Sequence, residues 1–279
     1  VQSVLDQSYS TLECIVVDDG SKDQTREIIS SFEDDRTKYF RHQKNLGASA
    51  ARNTGIEKVR GDFIAFLDDD DEWLPTKIEK QIFLLESLPS SYGMVYSWMD
   101  YYDKEGCIVH EHHPKLKGYV FQHVLDMQRI GGCPTLLVRR SVLKEIRNFD
   151  EKLVRGNDAD FIRRVCKKYM VDYVPEVLVK VHTGHKGERL SDYTIEGIKN
   201  AIITEEIKLV KFEKSFREYP DAHQYVLTRL AQLWKMLDNE SKATEYYNKA
   251  NSIKIENKYL YRIFNKLPSG INKLFGFLE

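Results

Sequence analysis

The chain carries no excess of charge of either sign: 42 Lys and Arg stand against 43 Asp and Glu, a formal net charge of -1. That balance removes the overall electrostatic case for nucleic-acid binding. No run approaches the ~20 apolar residues of a transmembrane helix, and no signal peptide is visible. The four cysteines, Cys14, Cys107, Cys133 and Cys166, are scattered and lack CxxC spacing. They read as reduced thiols in a cytosolic setting, not as a disulfide frame. A glycine-rich phosphate loop is also missing. At 279 residues the chain is long enough for one large domain with an appendage.

Against these absences stands one dense feature. Phe66-Leu-Asp-Asp-Asp-Asp-Glu-Trp73 follows the short apolar run Phe63–Leu67. Four consecutive carboxylates at the exit of a buried strand repel one another, and a hard divalent cation offsets that repulsion. Ligands of open α/β sheets gather at the carboxyl ends of strands. A second strand, Glu13 to Asp19, also ends in paired carboxylates, Asp18 and Asp19, before Gly20. Ser21 or Asp23 then reads as the N-cap of a helix presenting Ile28, Ile29 and Phe32. A strand near Lys38–Arg41 follows, and then a helix of small residues over Asn45–Gly55. The alternation predicts βαβ units and a parallel sheet.

These stretches resemble the inverting family 2 glycosyltransferases of GT-A fold. The matching pieces are Val17-Asp18-Asp19-Gly20-Ser21, Asn45-x-Gly47-x-x-x-Ala51-Arg52-Asn53-x-Gly55 and Phe66-Leu67-Asp68-Asp69-Asp70-Asp71-x-Trp73. Two later pieces fit as well: Pro134-x-x-Leu137-Val138-Arg139-Arg140 with Phe149-Asp150-Glu151, and Gly156-Asn157-Asp158-x-Asp160-Phe161. The resemblance covers residues 1 to 190 and implies a Rossmann-like mixed sheet flanked by helices. It implies transfer of a sugar from a nucleotide-diphosphate sugar, UDP-linked by default, to a glycan or lipid-linked acceptor in cell-surface glycan synthesis. Alternatives are a nucleotidyltransferase and a non-catalytic helical-repeat scaffold.

By the same resemblance Asp70 ligates Mn²⁺ or Mg²⁺, while Asp68 and Asp69 contact the donor ribose or metal-bound water. Asp68 and His182 complete the metal set, with His185 as a competitor. The bland reading of the acidic run is a solvated turn. A calcium loop is excluded, because Trp73 stands where an EF-hand needs glycine. Asp19 implies nucleobase contact with Asp18 beside it, or a carboxylate capping the helix over 25–32. Arg52 implies a donor contact, or an ion pair with Glu57 or a neighbour. Asp158 is the general base that takes the acceptor proton, or the N-cap of a helix over 159–169. The family commonly has Glu-Asp where this chain has Asn157-Asp158, so the acceptor contact at 157 stays open. His110-Glu111-His112-His113 reads as a polar loop, since no second pair with zinc spacing follows.

The family's first strand and its nucleotide-contacting turn have no counterpart before Val1, so the expectation is a piece of a longer reading frame. From residue 191 to 279 the chain reads as a helical appendage. Ile195, Ile198, Ile202 and Leu209 mark a long amphipathic helix, and residues 223–253 resemble one tetratricopeptide hairpin. Residues 258–279 alternate apolar and basic side chains. Two readings stay open there: a helix closing over the core, and peripheral contact with the inner face of the cell membrane. The expected location is cytoplasmic.

Overall fold

The computed structural model describes residues 1–183 and 194–254. His185 and the amphipathic segment 258–279 lie outside the described residues. The chain divides into two compact units, Val1–Asp192 and Tyr193–Glu279.

The first unit opens with α1 (Gln2–Leu5), β1 (Cys14–Asp18), α2 (Thr25–Ser30), β2 (Thr37–Arg41) and α3 (Ala48–Lys58). Then come β3 (Phe63–Ala65), β4 (Asp71–Trp73), α4 (Lys77–Ser87), β5 (Tyr92–Tyr102) and β6 (Ile108–His112). It ends with α5 (Phe121–Val124), a 3-10 turn (Cys133–Thr135), β7 (Leu136–Arg139), α6 (Arg140–Ile146), α7 (Asn157–Lys168) and β8 (Met170–His182).

The expected parallel pairing holds for β1 and β2, which form their own sheet. The larger sheet departs from that expectation. Its order is β3-β7-β5-β8-β4 with β6 beside β5, and only β5 and β8 run parallel. Mixed pairing of this kind is common among large sheets. Alternation along its strands explains the two cores. Met94, Tyr96, Leu136 and Val138 face one side, with Phe161, Ile162 and Val165 of α7. Val95, Met99 and Leu137 face the other, with Ile78, Ile82 and Leu85 of α4. Burying both faces of the sheet removes its apolar stripe from water on either side.

Two local expectations need correction. Gln24, not Ser21 or Asp23, occupies the N-cap of α2. Asp23 still serves that end, accepting from the Thr25 N–H at 3.0 Å and its hydroxyl at 2.5 Å, and Ile28 is exposed. The histidine-rich run is strand, not loop: His110–His112 belong to β6, paired antiparallel with Met99–Tyr101. His113 Nε2 then stands 2.7 Å from Asp100 Oδ1, and its ring stacks on Trp98 at 4.7 Å.

Lys77, at the start of α4, is fully buried without a carboxylate at its head. Its Nζ donates to Gln81 Oε1 at 2.7 Å and lies 4.2 Å from the Trp73 ring centre. Burial pushes its pKa well below the usual lysine range. Gln81 Nε2 donates to the Thr135 carbonyl at 2.7 Å, and Trp73 Nε1 to the Pro134 carbonyl at 2.9 Å. Through these two bonds α4 and β4 fix the turn at Cys133–Thr135.

The second unit holds α8 (Ile195–Lys211), α9 (Glu213–Glu218), α10 (Pro220–Met236) and α11 (Glu240–Ser252). Thr194 caps α8 by accepting from the Gly197 N–H at 3.0 Å. Ile198 and Ile202 are buried as the amphipathic pattern requires, but Ile195 is exposed. Helices α10 and α11 form a hairpin, turning at Asp238, whose φ is 54°. Asn239 then caps α11, accepting from the Lys242 N–H at 3.0 Å. Among the described residues no helix is long and apolar enough to cross a membrane.

Candidate active site

Strand β1 delivers Asp18 and Asp19 to its carboxyl end, where Gly20 turns the chain with φ +83°. A Cβ at Gly20 would stand 2.8 Å from the Lys44 carbonyl carbon, so only glycine allows this approach. The approach brings Asp19 against the loop before α3. Its Oδ1 accepts from the Leu46 N–H at 2.9 Å and its Oδ2 from the Gly47 N–H at 2.7 Å. His42 Nδ1 lies 2.7 Å from Asp19 Oδ1, while His42 Nε2 lies 2.9 Å from the Thr54 hydroxyl. A neutral imidazole with the proton on Nδ1 satisfies both contacts.

Asp18 is buried. Its Oδ1 accepts from the Ser21 N–H at 2.7 Å, its Oδ2 accepts from the Tyr39 hydroxyl, and Arg41 Nε is 3.4 Å away. Burial alone raises its pKa, but the Tyr39 and Ser21 hydrogen bonds with the Arg41 charge outweigh that and bring it down to about 2. The expected helix-capping alternative does not apply, since Asp23 does that work.

At the second carboxylate edge Asp68 is half-buried, and Asp69 and Asp70 are exposed just ahead of β4. Strand β4 pairs with β8 so that Asp71 faces Val181 and Glu72 faces Lys180. Strand β8 ends at His182, one residue beyond the Val181 partner of Asp71. His182 Nε2 is also 3.5 Å from Glu72 Oε2, and Lys180 Nζ donates to Glu72 Oε1 at 3.4 Å. Among the described residues no three His, Cys, Asp or Glu side chains already converge as a metal cage. The chemistry of the donors nonetheless suits a hard divalent cation that keeps water and substrate oxygens in its shell. Glu72 is an acidic neighbour of His182 that sequence reasoning left out, although its place in the acidic run was a signal.

Arg52 links this edge to α7. Its Nη2 donates to Asp68 Oδ1 at 2.6 Å and its Nη1 to Asn157 Oδ1 at 3.0 Å. The guanidinium also sits 5.5 Å from the centre of the Phe149 ring. Its ion-pair partner is therefore Asp68, not Glu57. Asn157 is buried, and its amide oxygen accepts from Arg52.

Gly156, with φ 69°, is the N-cap of α7, and Asp158 lies within the first turn. The expectation that Asp158 caps a helix over 159–169 is thus corrected: the helix begins two residues earlier than that. Asp158 Oδ1 accepts from the Ala159 N–H at 2.7 Å. Its Oδ2 is turned toward Gly132, where a Cβ would stand 3.3 Å away. The buried Cys133 thiol is pushed well up by burial; the Arg52 charge opposes this, and Asp158 and Asp68 reinforce it. Arg52, Asp68, Asp158 and the 131–135 turn thereby share one electrostatic neighbourhood, assembled from four separate stretches of chain.

Residues 1–147 match the family described as glycosyl transferase family 2. The chain belongs to that family. Among relatives in the family, an uncharacterized glycosyltransferase of Methanocaldococcus jannaschii is 31% identical over 201 residues, covering 68% of this chain and 67% of that protein. Another, from Rickettsia typhi, is 34% identical over 185 residues, 64% of this chain and 57% of that one. TuaG of Bacillus subtilis, named for teichuronic acid biosynthesis, is 46% identical over 89 residues, 31% of this chain and 35% of TuaG. The chain thus spans 57% of the Rickettsia protein and 35% of TuaG.

Among solved structures, S. aureus TarS 1–349 in complex with UDP-GlcNAc superposes with a TM-score of 0.56 at 17% identity, covering 89% of this chain and 84% of that one. Its likeness establishes the fold, a mixed sheet flanked by helices of GT-A kind. The chain is a glycosyltransferase by family, which favours glycosyl transfer over the nucleotidyl-transfer and scaffold alternatives.

Proposed function

We propose that this glycosyltransferase moves a sugar from a UDP-sugar to an acceptor hydroxyl with inversion, in the assembly of a cell-surface glycan. The observation that carries the reading is the Arg52 bridge, which ties the carboxylate edge at Asp68 to the helix turn bearing Asp158. Donor-side and acceptor-side groups are thereby held in one constellation. Asp158 takes the acceptor hydroxyl proton. The acceptor oxygen bonds to the anomeric carbon as the bond from that carbon to the diphosphate oxygen breaks. No enzyme nucleophile is needed, and one displacement inverts the centre.

Mn²⁺ or Mg²⁺, held by Asp68, Asp70 and His182, supplies charge neutralisation at the diphosphate when bound. Asp69 is exposed beside them, suited to the donor ribose. Asp19 lies nearest the nucleobase, with Asp18 behind it as a support. TarS, whose structure contains UDP-GlcNAc, and TuaG, named for teichuronic acid biosynthesis, support the choice of UDP and of a surface polymer. The domain reading is a catalytic part over residues 1–190 and a helical appendage over 191–279. Membrane contact through 258–279, at the inner face of the cell membrane, suits a lipid-linked acceptor.

Asp158→Asn tests the central claim. Turnover of UDP-GlcNAc should fall by roughly 10²–10⁴-fold, while UDP affinity measured by calorimetry with Mn²⁺ stays at the wild-type value. Turnover unchanged by the substitution would remove Asp158 from the chemistry.

A further inference from the structure

Gly132 breaks the burial of the chain segment around it. From Ile130 to Val138 every other residue is buried, and Gly132 is the one position that keeps contact with solvent. The backbone does not require glycine there. Its φ of -74° and ψ of -179° are extended values that any residue adopts. The neighbouring Gly131 has a different reason to be glycine, since a Cβ there would overlap Thr135 Oγ1 at 2.2 Å. Among the described residues a Cβ at Gly132 would meet two atoms within 4 Å: Asp158 Oδ2 at 3.3 Å and Pro134 Cδ at 3.8 Å. A Cβ there would stand in tight contact with that carboxylate oxygen, so the missing side chain leaves Asp158 Oδ2 uncovered.

That opening has a rigid frame. The Gly132 carbonyl accepts from the Thr135 N–H at 3.0 Å and from its hydroxyl at 2.8 Å. The turn is also held from beneath by Gln81 and Trp73 at the carbonyls of Thr135 and Pro134. A tightly held turn cannot shift cheaply to accommodate a larger residue. Across the opening, Asp158 Oδ1 is already engaged by its own helix turn, which leaves Oδ2 as the oxygen directed at Gly132.

We infer that Gly132 is a specificity-determining residue: the vacancy at its side chain is the lane through which a sugar-sized acceptor brings its hydroxyl to Asp158 Oδ2. This inference rests on the reading of Asp158 as the base. It assigns the glycine a steric role and Asp158 the chemical one. A Cβ at 132 narrows the lane, and among the described residues no atom of Asp68, Asp70 or Asp19 lies within 4 Å of it.

Access can be measured without knowing the acceptor. The full-length protein is treated with a water-soluble carbodiimide and either methylamine or glucosamine, and coupling at Asp158 is quantified by peptide mass spectrometry. Wild-type protein should couple both amines. Gly132→Val should reduce glucosamine coupling at Asp158 by about tenfold or more, with methylamine reduced less and coupling at exposed Asp69 unchanged. Gly132→Ala should give an intermediate loss, and it preserves the test should the valine variant unfold. Equal glucosamine coupling in wild type and Gly132→Ala would overturn the inference. So would an equal loss for both amines, which would mean that Asp158 had simply moved. The Asp158→Asn turnover assay reports separately: a block of coupling by Gly132 variants together with full turnover in Asp158→Asn would leave the lane and remove the base.

Discussion

Two strand ends in this protein present paired or clustered carboxylates, and they use them differently. At the end of β1, Asp18 and Asp19 accept from Tyr39, Ser21, Leu46 and Gly47, and His42 adds a further contact. At the approach to β4, Asp69 and Asp70 are exposed and Asp68 is held by Arg52. The first pair stitches the chain together. The second cluster is a surface kept negative by position. The same sequence signal, aspartates after an apolar run, thus has two physical outcomes, decided by whether backbone N–H groups fold back over the carboxylates. Stability should be more sensitive at the first end than at the second, while function should respond at both.

The sharpest break of that contrast is Asp70→Asn. Activity with UDP-GlcNAc should drop by roughly 10²–10³-fold, and calorimetry should show UDP binding lost in the presence of Mn²⁺ with the melting temperature unmoved. Wild-type UDP affinity in that variant would erase the functional half of the comparison. Asp19→Ala probes the other end. It strands the Leu46 and Gly47 N–H groups and the His42 contact, costing about 2–3 kcal/mol in urea unfolding; an unchanged midpoint would show that those bonds contribute nothing net.

Arg52 joins the two behaviours. Arg52→Leu should destabilise by roughly 1–3 kcal/mol because it leaves Asp68 and Asn157 without their shared donor. Arg52→Lys should not recover turnover, since one ammonium cannot reproduce the fork that spans both partners. Full recovery by lysine would reduce the bridge to simple charge pairing. The smallest effect expected is in acid. Asp18 has a folded pKa of about 2, below the ~3.9 of an unfolded aspartate. Its contribution is therefore fully present above about pH 4 and is lost as pH falls toward 2, worth roughly 1–2 kcal/mol after screening. Asp18→Asn should flatten that limb of the stability–pH curve. An unaltered limb would place the acid sensitivity elsewhere.

Much of this architecture is local and so was readable from the chain. The strand at Cys14–Asp18, the small-residue helix and the acidic run before Trp73 each declare themselves within a dozen residues. Strand order was not readable, because β7 and β8 enter the sheet between elements far earlier in the chain, and periodicity carries no partner information. The site suffers the same limit. Arg52 and Asn157 meet across 105 positions, and Gly132 earns its meaning only once α7 delivers Asp158 to it. His110–His112 misled because the run is charged and polar, yet cross-strand pairing with β5 makes it an edge strand. Helix starts near Asp158 and Thr25 shifted by a few residues, since capping is decided by backbone angles that side-chain type only biases.

Lysine on an amphipathic helix ordinarily reads as a wet surface residue, and Lys77 departs from that, sealed between Trp73 and Gln81. An amine-acylating reagent cannot reach its nitrogen while α4 remains seated on the sheet. Its acylation, followed by mass spectrometry against an exposed lysine such as Lys22, would therefore run as a clock for the detachment of that helix. The native protein thus contains its own reporter of how often the floor beneath Cys133–Thr135 comes loose.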